Sequence, residues 1–307
     1  MRNEHLGRSA LSRGAAVMLV LITSVGAVSA AGRIEPSAPG LLVETEWTAD
    51  NIDHDNLVVL ETGRSRGDYE AGHIPRARYF GREFYYGEVD GVPGMFPGVE
   101  VVSAALREAG VDDDSVVVIY DAGNGLWATR LFWTLELLGH EHVAVLNGGV
   151  EKWTADGHAL SDTTPAVVAG GFEPDFQAHL VSTGEEIQAN LEDLVVVDAR
   201  SAGEYEGTDV RAARGGHIPG AINVDWVLNN TNAGVNTFLP LDELAEFYDA
   251  ELEGREGRIV THCQTGVRGA HTYFVLRLLG YEDIALYDAS WVEWGNDESL
   301  PVAAQAN

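Results

Sequence analysis

The sequence predicts an α/β protein made of two similar halves, each a parallel β-sheet with helices on both faces. Short β-branched runs recur along the chain, among them Leu57–Glu61, Val116–Tyr120 and Leu194–Asp198, with Arg258–His262 matching Val116–Tyr120. Runs that are apolar throughout suit strands buried on both faces, as parallel sheets require. Longer patterns with helical spacing lie between them, at 103–109, 129–138, 241–252 and 270–279. Strand–helix alternation implies right-handed crossovers and a parallel sheet. Finally, the whole series is written twice.

The N-terminal residues read as an address. Arg2, Arg8 and Arg13 precede an uncharged apolar run at 15–28, which ends in the small residues Ser29, Ala30 and Ala31. A basic start, a short apolar run and a small-residue cleavage site describe a secretory signal over residues 1–30. An uncleaved anchor is the alternative, although the run is short for a membrane span. The protein is therefore expected to be exported, periplasmic or extracellular.

A first domain is expected over 41–160. It contains Leu57–Glu61, then Tyr69 to Pro75 with Gly72-His73-Ile74-Pro75, then Val116–Tyr120, and Val143–Leu146. Residues 161–180, with Pro165, Gly170, Gly171 and Pro174 and little periodicity, read as the linker. A second domain is expected over 181–302. It repeats the series with Leu194–Asp198, Gly216-His217-Ile218-Pro219 after a short insertion, Arg258–His262, and Ile284–Tyr287. Gly139 and Gly280 stand where helices should end. Each copy closes on a Trp-bearing segment, at 148–153 and 290–294.

Composition narrows the function. The 307 residues allow about two domains. Asp and Glu number 48 against 19 Lys and Arg, a formal net charge of −29. Such a polyanion repels phosphate backbones and anionic lipid surfaces, so neither nucleic acid nor membrane is an expected partner. Lys152 is the single lysine. A surface this acidic repels itself unless salt screens it, which suggests adaptation to a saline medium. One cysteine, Cys263, rules out an internal disulfide and any Cys-rich zinc or iron–sulfur site. No metal-ligand spacing or phosphate-binding glycine fingerprint is present, so no cofactor is expected. The duplication already supplies a domain pair, and a monomer is the default.

Cys263 ends a strand pattern and opens a helix pattern: His262-Cys263-Gln264-Thr265-Gly266-Val267-Arg268. Ligands of open α/β sheets collect beyond the carboxyl ends of strands. A tight loop there turns its N–H groups toward its centre, at the positive end of a helix dipole, and favours a thiolate. Gly266 lets the backbone curl, and Arg268 adds a cation shaped for oxyanions. The alternative is an inert, buried thiol.

These residues resemble the rhodanese family, in particular its tandem-domain thiosulfate/3-mercaptopyruvate sulfurtransferases. The likeness is carried by 263–268, Asp198-Ala199-Arg200-Ser201, both Gly-His-Ile-Pro segments and Tyr287 to Gly295, and spans about 41–300. It implies two rhodanese domains, with the active site in the second and facing the first. It also implies that Cys263 takes a sulfur from an anionic donor as a persulfide and passes it to cyanide or a thiol. Gln264, Thr265, Gly266, Val267 and Arg268 would cradle that sulfur and its donor, with ping-pong kinetics. Thiosulfate is the expected donor. 3-Mercaptopyruvate, or a role as a non-turnover persulfide carrier for one partner, are the alternatives. Related phosphatases place five residues between Cys and Arg; here there are four, a tighter ring that suits sulfur better than phosphate.

The first copy has Asp121 where the second has Cys263, and its loop is one residue longer, so it is expected to be catalytically silent. Asp198 and Arg200 read as a polar pair anchoring the adjacent turn. His262 should point away from Cys263 and support the site rather than move protons. His73 and His217, present in both copies, read as turn residues. Trp226, Trp291 and Trp294 read as core or cleft lining. Thr265 and Glu204 depart from the animal enzymes, which tend to carry Lys or Ser and Arg there. A carboxylate at 204 should weaken binding of an anionic donor if it faces the cleft.

Overall fold

The computed structural model describes residues 40–231 and 234–303; the expected export signal at 1–30 lies outside them. The first half contains strands β1 (Leu42–Val43), β2 (Leu57–Glu61), β3 (Arg78–Tyr79), β6 (Val116–Tyr120) and β7 (Val143–Leu146), with a hairpin of β4 (Gly87–Val89) and β5 (Val92–Met95). Its helices are α1 (Thr45–Asn51), α2 (Arg66–Ala71), α3 (Val99–Glu108), α4 (Leu126–Leu137) and α5 (Gly149–Ala155). The second half contains β8 (Val181–Ser182), β9 (Leu194–Asp198), β10 (Ile222–Asn223), β11 (Arg258–His262) and β12 (Ile284–Tyr287). Its helices are α6 (Gly184–Ala189), α7 (Ala202–Glu206), α8 (Leu241–Glu251), α9 (Val267–Leu278) and α10 (Ser290–Trp294).

Both five-stranded sheets are parallel, ordered β1-β7-β6-β2-β3 and β8-β12-β11-β9-β10, so the two halves share one topology. Alternation explains why the strands read as unbroken apolar runs. Val117 and Ile119 of β6 face one cluster, while Val116, Val118 and Tyr120 face another. The inner cluster is shared by both halves, with Phe132 of α4 edge-on to Phe274 of α9 at 4.8 Å. Separate outer clusters lie under α5 and α10.

Helices α4 and α9 end alike. Gly139 (φ 81) and Gly280 (φ 88) take left-handed conformations. The next residues, His140 and Tyr281, donate back to Leu135 and Leu276, closing a Schellman turn at each end.

The connecting segment at 161–180 is fastened to the first half rather than hanging free. Gly170 N–H donates to Arg107 O, Phe172 N–H to Val111 O, Asp175 N–H to Leu138 O and Gln177 N–H to Leu137 O. Phe172 is buried in the shared core. Among the described residues no helix is long and apolar enough to cross a membrane.

Candidate active site

Strand β11 ends at His262 and α9 begins at Val267, so Cys263 to Gly266 form the loop beyond a central strand's carboxyl end. Val260 faces the outer cluster, and alternation puts His262 on that same side. Cys263, one residue on, falls on the opposite side, that of Ile259 in the cluster shared by both halves. Gly266 adopts φ 79, and an added β-carbon would stand 2.9 Å from Arg130 Nη1 and from two Asp288 oxygens.

Ser290 organises this loop. Its hydroxyl accepts the N–H groups of Cys263 (3.2 Å) and Gly266 (3.0 Å) and donates to Tyr287 O (2.8 Å). The first intrahelical bond of α9 runs from Ala270 N–H to Gly266 O. The N–H groups of Val267, Arg268 and Gly269 therefore head the helix without intrahelical acceptors, the usual anion-attracting end.

The first half shows the same cradle filled. Asp121 accepts N–H groups from Gly123 (3.0 Å), Gly125 (3.1 Å), Trp127 (2.9 Å) and Ala128 (3.3 Å). Burial pushes the Asp121 carboxyl up, and the four N–H bonds oppose it. Its loop reaches the capping glycine, Gly125, one residue later than the second half reaches Gly266. Opposite Ser290 stands Gly149, with nearly the same φ, 53 against 54.

Arg268 Nη1 and Nη2 donate to Glu204 Oε2 (2.6 Å) and Oε1 (2.8 Å). Glu204 also closes a capping box with Ser201 at the start of α7. Burial would raise the Glu204 carboxyl, but Arg268 and Ser201 outweigh it and hold the carboxyl at about 2. For Arg268, burial favours losing the proton. Glu204 and the nearby Cys263 sulfur more than offset this, and its pKa lies above the ordinary guanidinium value. Arg211, on the insertion loop, stands 3.6 Å from Glu204 with a half-exposed side chain.

Gln264 Nε2 donates to Arg211 O at 3.1 Å, while its Oε1 is buried without a hydrogen-bond partner. Thr265 Oγ1 accepts from Tyr86 Oη of the first half at 3.1 Å. Gly94 in β5 lies against the same threonine, with no space for a β-carbon. The hairpin thus lies over the Cys263 loop, and Val92 and Met95 pack on the outer cluster of the second half. Under this cover Cys263 is 1% exposed.

Asp198 and Arg200 are both buried and joined, with Arg200 Nη2 at 2.6 Å from Asp198 Oδ2 and donating to Gly216 O at 2.8 Å. The guanidinium also lies 4.3 Å from the Trp291 ring centroid. His262 Nε2 stands 3.5 Å from Asp198 Oδ2. Burial, only partly opposed by Asp198, lowers His262 to about 4, so it is neutral at pH 7. His73 stacks on Tyr69 and bonds to Tyr69 O, and His217 does the same with Tyr205. Among the described residues no group of three or more His, Cys, Asp or Glu is placed to hold a metal ion.

Sequence reading gave no role to Tyr86, Gly94, Arg130, Asp288 or Ser290. One signal existed for Ser290: the two copies exchange Ser for Gly at this position in the same halves that exchange Cys for Asp.

Comparison with known proteins shows the family. Residues 44–156 and 183–297 each match the Rhodanese-like domain. The chain belongs to the rhodanese family, as two of its domains in tandem. Within that family it stands with the sulfurtransferases. It is 35% identical over 267 residues to a thiosulfate sulfurtransferase of Pseudomonas aeruginosa, covering 85% of this chain and 96% of that one. It is 32% identical over 288 residues to the sulfur carrier protein TtuD of Thermus thermophilus, covering 86% and 97%. Among solved structures, the 3-mercaptopyruvate sulfurtransferase SseA from Escherichia coli superposes with a TM-score of 0.72 at 28% identity, covering 81% of this chain and 98% of that one. An anaerobic ergothioneine biosynthesis enzyme from Chlorobium limicola gives 0.75 at 26%, covering 87% and 70%.

Proposed function

We propose that the protein moves a sulfane sulfur from thiosulfate to a thiophilic acceptor through a persulfide on Cys263. The observation that carries this reading is Cys263 at the head of α9, beside Arg268 and inside a loop whose amides are gathered by Ser290. The Cys263 thiolate attacks the outer sulfur of thiosulfate. A Cys263 S–S bond forms, and sulfite leaves with the electron pair of the broken bond. The terminal sulfur then rests against the N–H groups that head α9, a preorganised site for negative charge. Cyanide or a thiolate attacks that sulfur, takes it, and returns Cys263 as thiolate. Two half-reactions on one nucleophile give ping-pong kinetics.

Intact mass after thiosulfate treatment tests the reading. A gain of one sulfur atom, absent in Cys263→Ser, is expected. No gain at any thiosulfate concentration overturns it.

Two observations favour further readings. The cover over Cys263 suits a persulfide carrier that shields its sulfur until one partner arrives. Catalytic turnover with free thiosulfate and cyanide separates enzyme from carrier. Arg211, half exposed beside the site and paired with Asp209 at 2.7 Å, could exchange that partner for the carboxylate of 3-mercaptopyruvate. Comparison of kcat/KM for the two donors decides between them. We further propose export directed by residues 1–30, tested by locating the protein in cell fractions and sequencing its mature N-terminus.

A further inference from the structure

The catalytic loop has a support that reaches in from the other half of the molecule. Asp288 lies between β12 and α10. Its Oδ2 accepts the Phe96 N–H at 2.7 Å, and its Oδ1 stands 2.6 Å from Arg130 Nη1. Arg130 belongs to α4 of the first half and is wholly buried. Its Nη2 donates to Gly94 O at 3.2 Å, and its guanidinium lies 4.6 Å from the Trp133 ring centroid. A buried guanidinium is costly unless paired, so Arg130 and Asp288 fix each other's place. The same pair borders Gly266 of the catalytic loop.

Two residues beyond Asp288 stands Ser290, at φ 54. A side chain rarely adopts that conformation, and it persists only where the surroundings over-determine it. Its hydroxyl gathers the N–H groups of Cys263 and Gly266. The first half has Gly149 there, which needs no such support.

We propose that Arg130 is a positioning residue for sulfur transfer. Through Asp288 it holds Ser290 in its left-handed conformation, and Ser290, by binding the N–H groups of Cys263 and Gly266, holds the curl of the loop that carries the Cys263 sulfur. The first half is then a working part of the second half's site and not only its wall. This inference rests on reading Cys263 as the nucleophile that accepts sulfur. Arg130 is buried and does not meet the sulfur donor, so its loss should act on the rate of loading and leave donor binding alone.

The test uses the full chain with thiosulfate. Loading of Cys263 is followed by rapid quench and intact mass, with donor KM and melting temperature measured alongside. Arg130→Met and Ser290→Ala should each load about tenfold more slowly, equivalent to about 1.4 kcal/mol on the barrier. Donor KM should stay within about twofold. Arg130→Lys should recover most of the rate, because an ammonium group still reaches Asp288. Asp288→Asn combined with Arg130→Met should be no slower than Arg130→Met alone, because the two residues act as one unit. Should Arg130→Met fail to fold, Arg130→Lys and the isosteric Asp288→Asn carry the comparison. Loading at the wild-type rate in a folded Arg130→Met or Asp288→Asn protein overturns the proposal, as does additivity in the pair. If the wild-type protein itself takes up no sulfur, it is the reading of Cys263 that fails.

Discussion

Arg268 and Glu204 face each other in a two-point ion pair, at 2.6 and 2.8 Å. The cation that follows the Cys263 loop is therefore already matched by a carboxylate from α7. An anionic donor meets a neutralised pair instead of a free positive charge. Glu204→Gln should release that charge and lower the thiosulfate KM about fivefold, equivalent to about 1 kcal/mol. An unchanged or higher KM in steady-state kinetics would show that thiosulfate does not approach Arg268. The same variant has a pH signature. Glu204 is held at about 2 against an ordinary 4.5. Its contribution to stability is full above about pH 4.5 and is lost as pH falls through about 2. Denaturation curves across that window should be flatter for Glu204→Gln.

Buried histidines add a second acid sensitivity, in a higher window. Burial lowers His271 to about 3, and His140 and His262 to about 4, from an ordinary 6.5. The unfolded chain therefore binds protons that the folded chain refuses. Stability should be full above about pH 6.5 and decline as pH falls toward 4 and then 3. His271→Asn should reduce the slope of unfolding free energy against pH in this window. An unchanged slope would mean that His271 is charged in the fold.

Tyr86 and Thr265 join hydroxyls across the two halves, directly over the catalytic loop. Tyr86→Phe removes that tie and keeps the ring packed edge-on to Trp127. Alkylation of Cys263, the chain's single thiol, should be several-fold faster, at a cost of only about 1 kcal/mol or less in stability. Equal alkylation rates would show that the cover lies elsewhere.

The first half is expected to be silent even when given a thiol. Asp121→Cys in a Cys263→Ser background places a cysteine at the matching strand end. Its loop is one residue longer, and Gly149 replaces the serine that gathers amides. No turnover with thiosulfate and cyanide is expected. Activity near wild type would mean that loop length and Ser290 are dispensable.

A formal charge of −29 with one lysine predicts a stability that rises with salt, as screening relieves self-repulsion. Melting temperatures measured from low to molar salt check this. A flat series removes the case for saline adaptation.

The fold was legible because its strands are covered on both faces. The apolar run Val116–Tyr120 and its repeat Arg258–His262 coincide with β6 and β11. Writing the series twice removed the usual ambiguity between a short strand and a helix fragment. Cys263 and its loop were legible because they are contiguous in sequence. What joins the site over long separations was not. Tyr86 meets Thr265, and Arg130 meets Asp288, across intervals that leave no periodicity to read. Glu204 was seen as a departure but not as the partner of Arg268. The Ser201-to-Glu204 capping box was readable, but nothing local shows that its carboxylate also pairs with α9.

The strap at 161–180 bears on how a substrate gets in. It is bonded along its course to Arg107, Val111, Leu137 and Leu138, and the halves it joins share one core between α4 and α9. A jaw-like swing of one half from the other would tear that core and unpick the strap together. The β4–β5 hairpin is only a narrow finger resting on the loop. Lifting it would break the Tyr86–Thr265 contact and the bonds that Gly94 and Phe96 make to Arg130 and Asp288, still less than opening the shared core, so access to the sulfur is expected to depend on that finger and on the Arg130–Asp288 pair that holds it.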